Sequence, residues 1–150
     1  MNNLTLITII SLICILASSN IHASKKKHTD LTVEADRSIE YFEKKKYYLA
    51  SGNALASKDG ITLNADEIKA YFKKDSKNID FLVGTGKATV TGNNIIGKGE
   101  KVNYDFKKEI ITFSNGTQFI KTNEIFIESN DFIKFDNLNK TSEAKGKVKL

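Results

Sequence analysis

From Ser24 onward the chain alternates apolar and polar residues in short runs separated by turn residues, the period expected of β-strands with one buried face. In the run KVNYDF, Val102, Tyr104 and Phe106 fall on one side and Lys101, Asn103 and Asp105 on the other. The same alternation puts Leu31, Val33 and Ala35 on a dry face, and likewise Ile79, Phe81 and Val83, and Ile125 and Ile127. Turn signals recur at Lys44-Lys45, Asp59-Gly60, Lys73 to Asn78, Gly92 to Asn94, Lys107-Lys108, Thr122-Asn123 and Asn137 to Lys140. That spacing predicts a meander of antiparallel strands. Ala65, Ile68 and Phe72 have helical spacing, but the stretch is too short and isolated for a helix to prevail. If Asp59-Gly60 closes a two-residue hairpin, Ala56 lies opposite Leu63 and Ala54 opposite Ala65, which leaves a shallow inner face.

The pattern also repeats on a longer scale. Gly52, Gly86, Gly116 and Gly146 recur at intervals of 34, 30 and 30 residues, each after a polar turn and an apolar segment. Related stretches ADRSIEYF, ADEIKAYF, GEKVNYDF and NDFIKFD precede them, one ahead of each glycine. Units of two or three strands bury their apolar faces by stacking on neighbours, so the sequence predicts a β-stack, either a jellyroll or a solenoid.

The first 23 residues break this pattern. Leu4 to Ala17 is uncharged and apolar, and Ser18 to Ala23 follows as a small, polar stretch, which reads as a signal peptide cleaved after Ala23. The apolar run is shorter than the roughly 20 residues that span a bilayer. Residues 24–30, with Lys25 to Lys27 and His28, read as a flexible segment, and residues 31–150 as the folded domain. The single cysteine, Cys14, lies inside the apolar run, so the mature chain carries no thiol. A domain of this size buries enough surface to fold without disulfides.

The ordered series AD, GNA, DG, NAD, GKA and VNYD, spread over Leu31 to Leu150, resembles the OstA-like domains of lipopolysaccharide-transport proteins. The resemblance favours the LptA type over the membrane-anchored LptC type and implies an all-β, open, twisted antiparallel β-jellyroll with no cofactor. It implies a periplasmic protein that forms part of a bridge carrying lipopolysaccharide from the inner to the outer membrane. Acyl chains would lie between two sheets, against Leu31, Val90, Val102, Tyr104 and Phe106. Edge strands at Leu31 and Val33 and at Val148 would join inner-membrane LptC-like and outer-membrane LptD-like proteins, or a further copy head to tail.

Other chemistries find few parts. The 22 lysines outnumber the one arginine, Arg37, in a chain rich in Ile and Asn, so the net charge of +5 reads largely as compositional bias. His22 leaves with the signal, His28 stands near a terminus, and no metal-ligand spacing is present, so an enzyme is not expected. Asp36 and Asp66 each follow Ala at equivalent repeat positions, which points to a repeated structural role rather than a catalytic pair. The remaining alternative is an exported basic module that binds a polyanion, suggested by YFEKKKYY at Tyr41 to Tyr48; export places it away from cytoplasmic nucleic acid.

Overall fold

The computed structural model describes residues 30–150 apart from 74–77 and residue 93. The signal-peptide reading, the lysines at 25–27 and parts of the turns at 73–78 and 92–94 therefore lie outside the described residues. Among the described residues eleven strands follow in chain order, with one turn of 3-10 helix, Glu43–Lys45, between the second and third. They are β1 (Thr32–Glu34), β2 (Ser38–Phe42), β3 (Tyr47–Lys58), β4 (Ile61–Phe72), β5 (Ile79–Gly92), β6 (Ile95–Asp105), β7 (Ile110–Ser114), β8 (Gln118–Lys121), β9 (Phe126–Ser129), β10 (Phe132–Asp136) and β11 (Thr141–Lys145). Every ladder is antiparallel. The turn at Asp59-Gly60 sets the β3/β4 register, with Ala54 opposite Ala65 and Ala56 opposite Leu63, as the two-residue hairpin requires.

The long strands each serve two walls. The first half of β3 pairs with β2 and its second half with β1. The first half of β6 pairs with β8 and its second half with β7. At the change-over the register shifts, between Ser51 and Ala54 in β3, Asn64 and Glu67 in β4, and Thr85 and Ala88 in β5. Such bulges bend a strand. Leu63 and Ile68 are five residues apart in β4, about 17 Å in a straight strand. Yet a methyl group placed on Gly84, the ladder partner of Ile68, would lie 3.1 Å from Leu63 Cδ1. The strands therefore fold over, and the hydrogen-bonded sheet doubles back on itself without closing, as an open, twisted β-jellyroll.

One wall, here the upper wall, holds β1, the ends of the strands around the 59–60 turn, β8 and β9. The lower wall holds β2, the other halves of β3 to β6, then β7, β10 and β11. Inner-facing residues form rows across each wall. Val33, Ala56, Leu63, Val90, Gly97 and Ile120 are successive ladder partners above, and Ala50, Ile68, Gly84, Val102, Phe113 and Ile133 below. The rows interlock, Leu63 resting on Gly84 and the Phe113 ring on Gly97.

The repeated glycines mark the corners. Gly52 (φ 83) and Gly86 (φ 79) adopt the left-handed backbone that glycine favours, each followed by a residue also at positive φ, Asn53 or Lys87. Each repeat glycine faces the corner of the preceding strand: Gly52 packs on Arg37, Gly86 on Asp66, Gly116 on Glu100 and Gly146 on Asn130. Asn53 Nδ2 donates to Asp36 Oδ2 at 2.8 Å. The Ala-Asp pairs and the Gly-Asn or Gly-Lys pairs are thus two sides of one recurring corner.

Two segments depart from the alternation. Phe81 is 36% exposed, while Leu82 and Gly84 face inward. The register shift between Tyr71 and Phe72 reverses the parity of β5, so Ile79 still packs toward the core but Phe81 and Val83 turn to the outer face. Ile125 lies in the turn before β9, where its carbonyl accepts from the Thr122 N–H at 2.8 Å, and is exposed; only Ile127 is buried.

Candidate functional site

The interior between the walls is filled over most of its length. Val90 and Val102 are fully buried, with Leu63, Ile68, Ile111 and Phe113 around them. The packing stops at one end, where a cleft of about 540 Å³ opens between the walls. Leu31, Lys58, Asp59 and Ile61 form its upper side. Ile79, Asp80, Tyr104, Phe106, Glu109 and Asn137 form the lower.

The strand pattern explains how these side chains meet. Lys58 and Ile61 are the ladder pair that closes the β3/β4 turn, so both reach the end of the upper wall. Tyr104 faces inward from β6 between Leu82 and Ile111. Phe106 follows two positions later, past the end of β6, its N–H held by the Asp80 carbonyl at 3.2 Å. The two rings meet edge to face with centroids 4.7 Å apart. Lys58 Nζ stands 5.1 Å from the Phe106 ring, a cation over an aromatic face.

The rim is polar. Asn137 Nδ2 donates to Glu109 Oε2 at 2.9 Å and Lys140 Nζ to Asn137 Oδ1 at 2.7 Å. Burial pushes the Tyr104 phenol up to about 12, and the nearby carboxylates of Glu109 and Asp59 add to the effect. Tyr104 therefore stays neutral under ordinary conditions. Among the described residues no group of three potential metal ligands occurs.

Both candidate edges lie at the ends of the stack. Val33 pairs inward with Ala56, and among the described residues β1 and β2 each have β3 as their only ladder partner. At the other end β11 pairs with β10, and past the Gly146 corner Lys149 makes an isolated bridge to Glu128 of β9 through two hydrogen bonds of 2.9 Å. Val148, 43% exposed, stands beside that bridge.

Residues 32–133 match the family described as LptA/(LptD N-terminal domain) LPS transport protein. The chain belongs to this family. A solved structure, LptH, the LptA-homologous periplasmic component of the lipopolysaccharide transport device from Pseudomonas aeruginosa, superposes with a TM-score of 0.68. It is 15% identical and the match covers 79% of this chain and 83% of that one, a likeness of fold. A comparison with curated proteins gave no match. Among the described residues no helix is long and apolar enough to cross a membrane.

Within this LptA-like jellyroll the five sequence-derived lipid-facing positions separate into two groups. Leu31, Tyr104 and Phe106 line the cleft, whereas Val90 and Val102 belong to the packed interior. Lys58, Ile61 and Ile79 were not singled out as site residues. The hairpin register placed Lys58 and Ile61 together at a strand end, a usable signal; the alternation put Ile79 on a dry face, but the β5 irregularity that sets its neighbours was not legible.

Proposed function

We propose that this LptA-like chain carries lipopolysaccharide across the periplasm as one module of a bridge between the inner and outer membranes, with acyl chains held between its two walls. The observation that carries the reading is the cleft at the end of an otherwise apolar interior, with Leu31, Tyr104 and Phe106 open to it, in a chain of a lipopolysaccharide-transport family. An acyl chain entering there meets Tyr104 and Phe106 first and reaches Val90 and Val102 as the walls part at their glycine corners. Each buried methylene contributes about 0.8 kcal/mol, enough for reversible retention without a charged anchor. The charged rim stays with water and the polar headgroup.

The domain assignment follows the same reading: residues 1–23 are removed on export, 24–30 link, and 31–150 form the transport domain. Unpaired strand edges recruit further strands. The edge at Leu31 and Val33 joins an inner-membrane LptC-like partner, the edge at Val148 an outer-membrane LptD-like one, and copies join head to tail between them. The work in this scheme is binding and passage, with no cofactor and no enzymatic step.

Photocrosslinking in cells tests the reading. Probes at Tyr104 and Phe106 are expected to label lipopolysaccharide, and probes at Asn103 and Asp105 are not. Equal labelling or equal silence at the four positions would overturn it.

A further inference from the structure

The segment YFEKKKYY is not used by the cleft, and its surroundings are unusual. Half of the 14 Tyr and Phe residues, and four of the five tyrosines, gather at one end of β2, β3, β4 and β5. On the inner face Tyr41, Tyr48 and Phe72 form a triangle with ring centroids 5.0, 5.2 and 5.8 Å apart. On the outer face Phe42, Tyr47, Tyr71 and Phe81 form a ladder with steps of 4.9, 5.1 and 4.5 Å. Tyr47 is buried, but the other rings reach solvent. Tyr41 is 49% exposed and Tyr48 39%, and Ile39 beside them is 50% exposed.

Cations surround the rings. Lys44, Lys45 and Lys46 form the exposed turn that joins β2 to β3, and the Lys46 carbonyl accepts from the Phe72 N–H at 3.1 Å, which brings exposed Lys73 alongside. Lys69 Nζ lies 5.6 Å from the Tyr47 ring. Among the described residues, Glu40 and Glu43 stand against these five positive charges. A core would have covered the rings, and a solvated turn would not need seven of them. Amphipathic tyrosines with flanking lysines match the boundary of a lipid bilayer, where the ring body meets the acyl region and the cations meet headgroup phosphates.

We propose that this aromatic, lysine-rich tip docks on the surface of an anionic phospholipid bilayer. The occupant is set by the combination: the charge selects an anionic surface and the exposed apolar rings require one with an apolar layer beneath, which a soluble polyanion lacks. The tip shares no residue with the cleft, so docking is independent of the cargo reading.

The test uses the chain's own fluorescence. It contains no Trp, so tyrosine emission reports mainly from the tip. Vesicles of phosphatidylethanolamine with brominated phosphatidylglycerol should quench that emission, vesicles of brominated phosphatidylcholine should not, and added salt should reverse the quenching. Lys44→Ala with Lys45→Ala should raise the lipid concentration at half-quenching about thirtyfold, from the known contribution of each lysine near an anionic surface. Tyr41→Ser with Tyr48→Ser should raise the lipid concentration at which the emission of the remaining tyrosines is half-quenched, while leaving retention on heparin unchanged. Ile96→Ser, an exposed apolar site on the upper wall, should change neither. Absence of quenching, quenching indifferent to the two lysines, or heparin retention without any vesicle response would overturn the proposal, the last in favour of a soluble polyanion.

Discussion

The ring of Phe113 on β7 covers Gly97 on β6, and a side chain on Gly97 would overlap that ring. Their strands are ladder neighbours, but the contact joins opposite walls, because Phe113 pairs with Val102 in the lower half of β6 while Gly97 lies in the upper half. Gly97→Ala is therefore expected to destabilise the fold by about 1–3 kcal/mol through overpacking. Urea unfolding of the variant against the parent measures it, and an unchanged midpoint would mean that the walls can separate at no cost.

Gln118 is fully buried opposite Ser129, and among the described residues neither of its side-chain amide atoms has a partner. A buried polar group without a partner costs about 1–3 kcal/mol. Gln118→Met, close in shape and apolar, should raise stability by about 1 kcal/mol or more, seen as a higher melting temperature. A lowered value would show that the amide is engaged in the folded protein.

Alkali should weaken the fold through Tyr104. Its phenol titrates near 12 in the folded chain against about 10 unfolded, so the folded state holds its proton more tightly. The contribution is intact below pH 10 and is lost as pH rises toward 12, by about 2 kcal/mol in all. Denaturant midpoints measured across that window should fall, and should fall less in Tyr104→Phe. At the acid end, hydrogen bonds from Asn139, with Leu138 and Lys134 assisting, hold the Asp136 carboxyl below its usual range. Its support of the 137–140 turn is present above that range and fades as pH drops through the lowered value.

The outermost strands carry opposite charge. Exposed Glu34 and Asp36 outweigh Arg37 beside β1, while Lys145 and Lys147 outweigh Glu143 beside β11, Lys149 being paired with Glu128. Head-to-tail joining brings acid to base, and like-to-like joining does not. Association followed by analytical ultracentrifugation should weaken about tenfold from low to high salt. Lys145→Glu with Lys147→Glu should abolish it at low salt; salt-insensitive association, or none in the parent chain, would contradict the arrangement.

Much of this architecture was legible as pattern. The alternation at Val102, Tyr104 and Phe106 and the Asp59-Gly60 register depend on a residue and its near neighbours, and both appear as expected. The glycine repeat was visible, but its meaning was not, because a corner exists only where Gly52 meets Arg37 or Gly86 meets Asp66 across strands. Phe81 was misplaced for a related reason: a single irregularity against Tyr71 and Phe72 reverses every later side chain in the segment. At the site, periodicity located Tyr104 and Phe106 on the inner face but could not show where the interior is filled, so Val90 and Val102 looked equivalent to residues that line the cleft.

The folding-over of β3 to β6 also determines how the molecule can come apart. Because each of these strands belongs to both walls, neither wall has an independent existence, and no seam runs between them along which the protein could split. Loss of structure must proceed strand by strand from the two edges inward. Amide exchange should accordingly be slowest in both halves of β4 and β5 alike, and a graded profile from edge to middle, rather than one wall outlasting the other, is the signature of that construction.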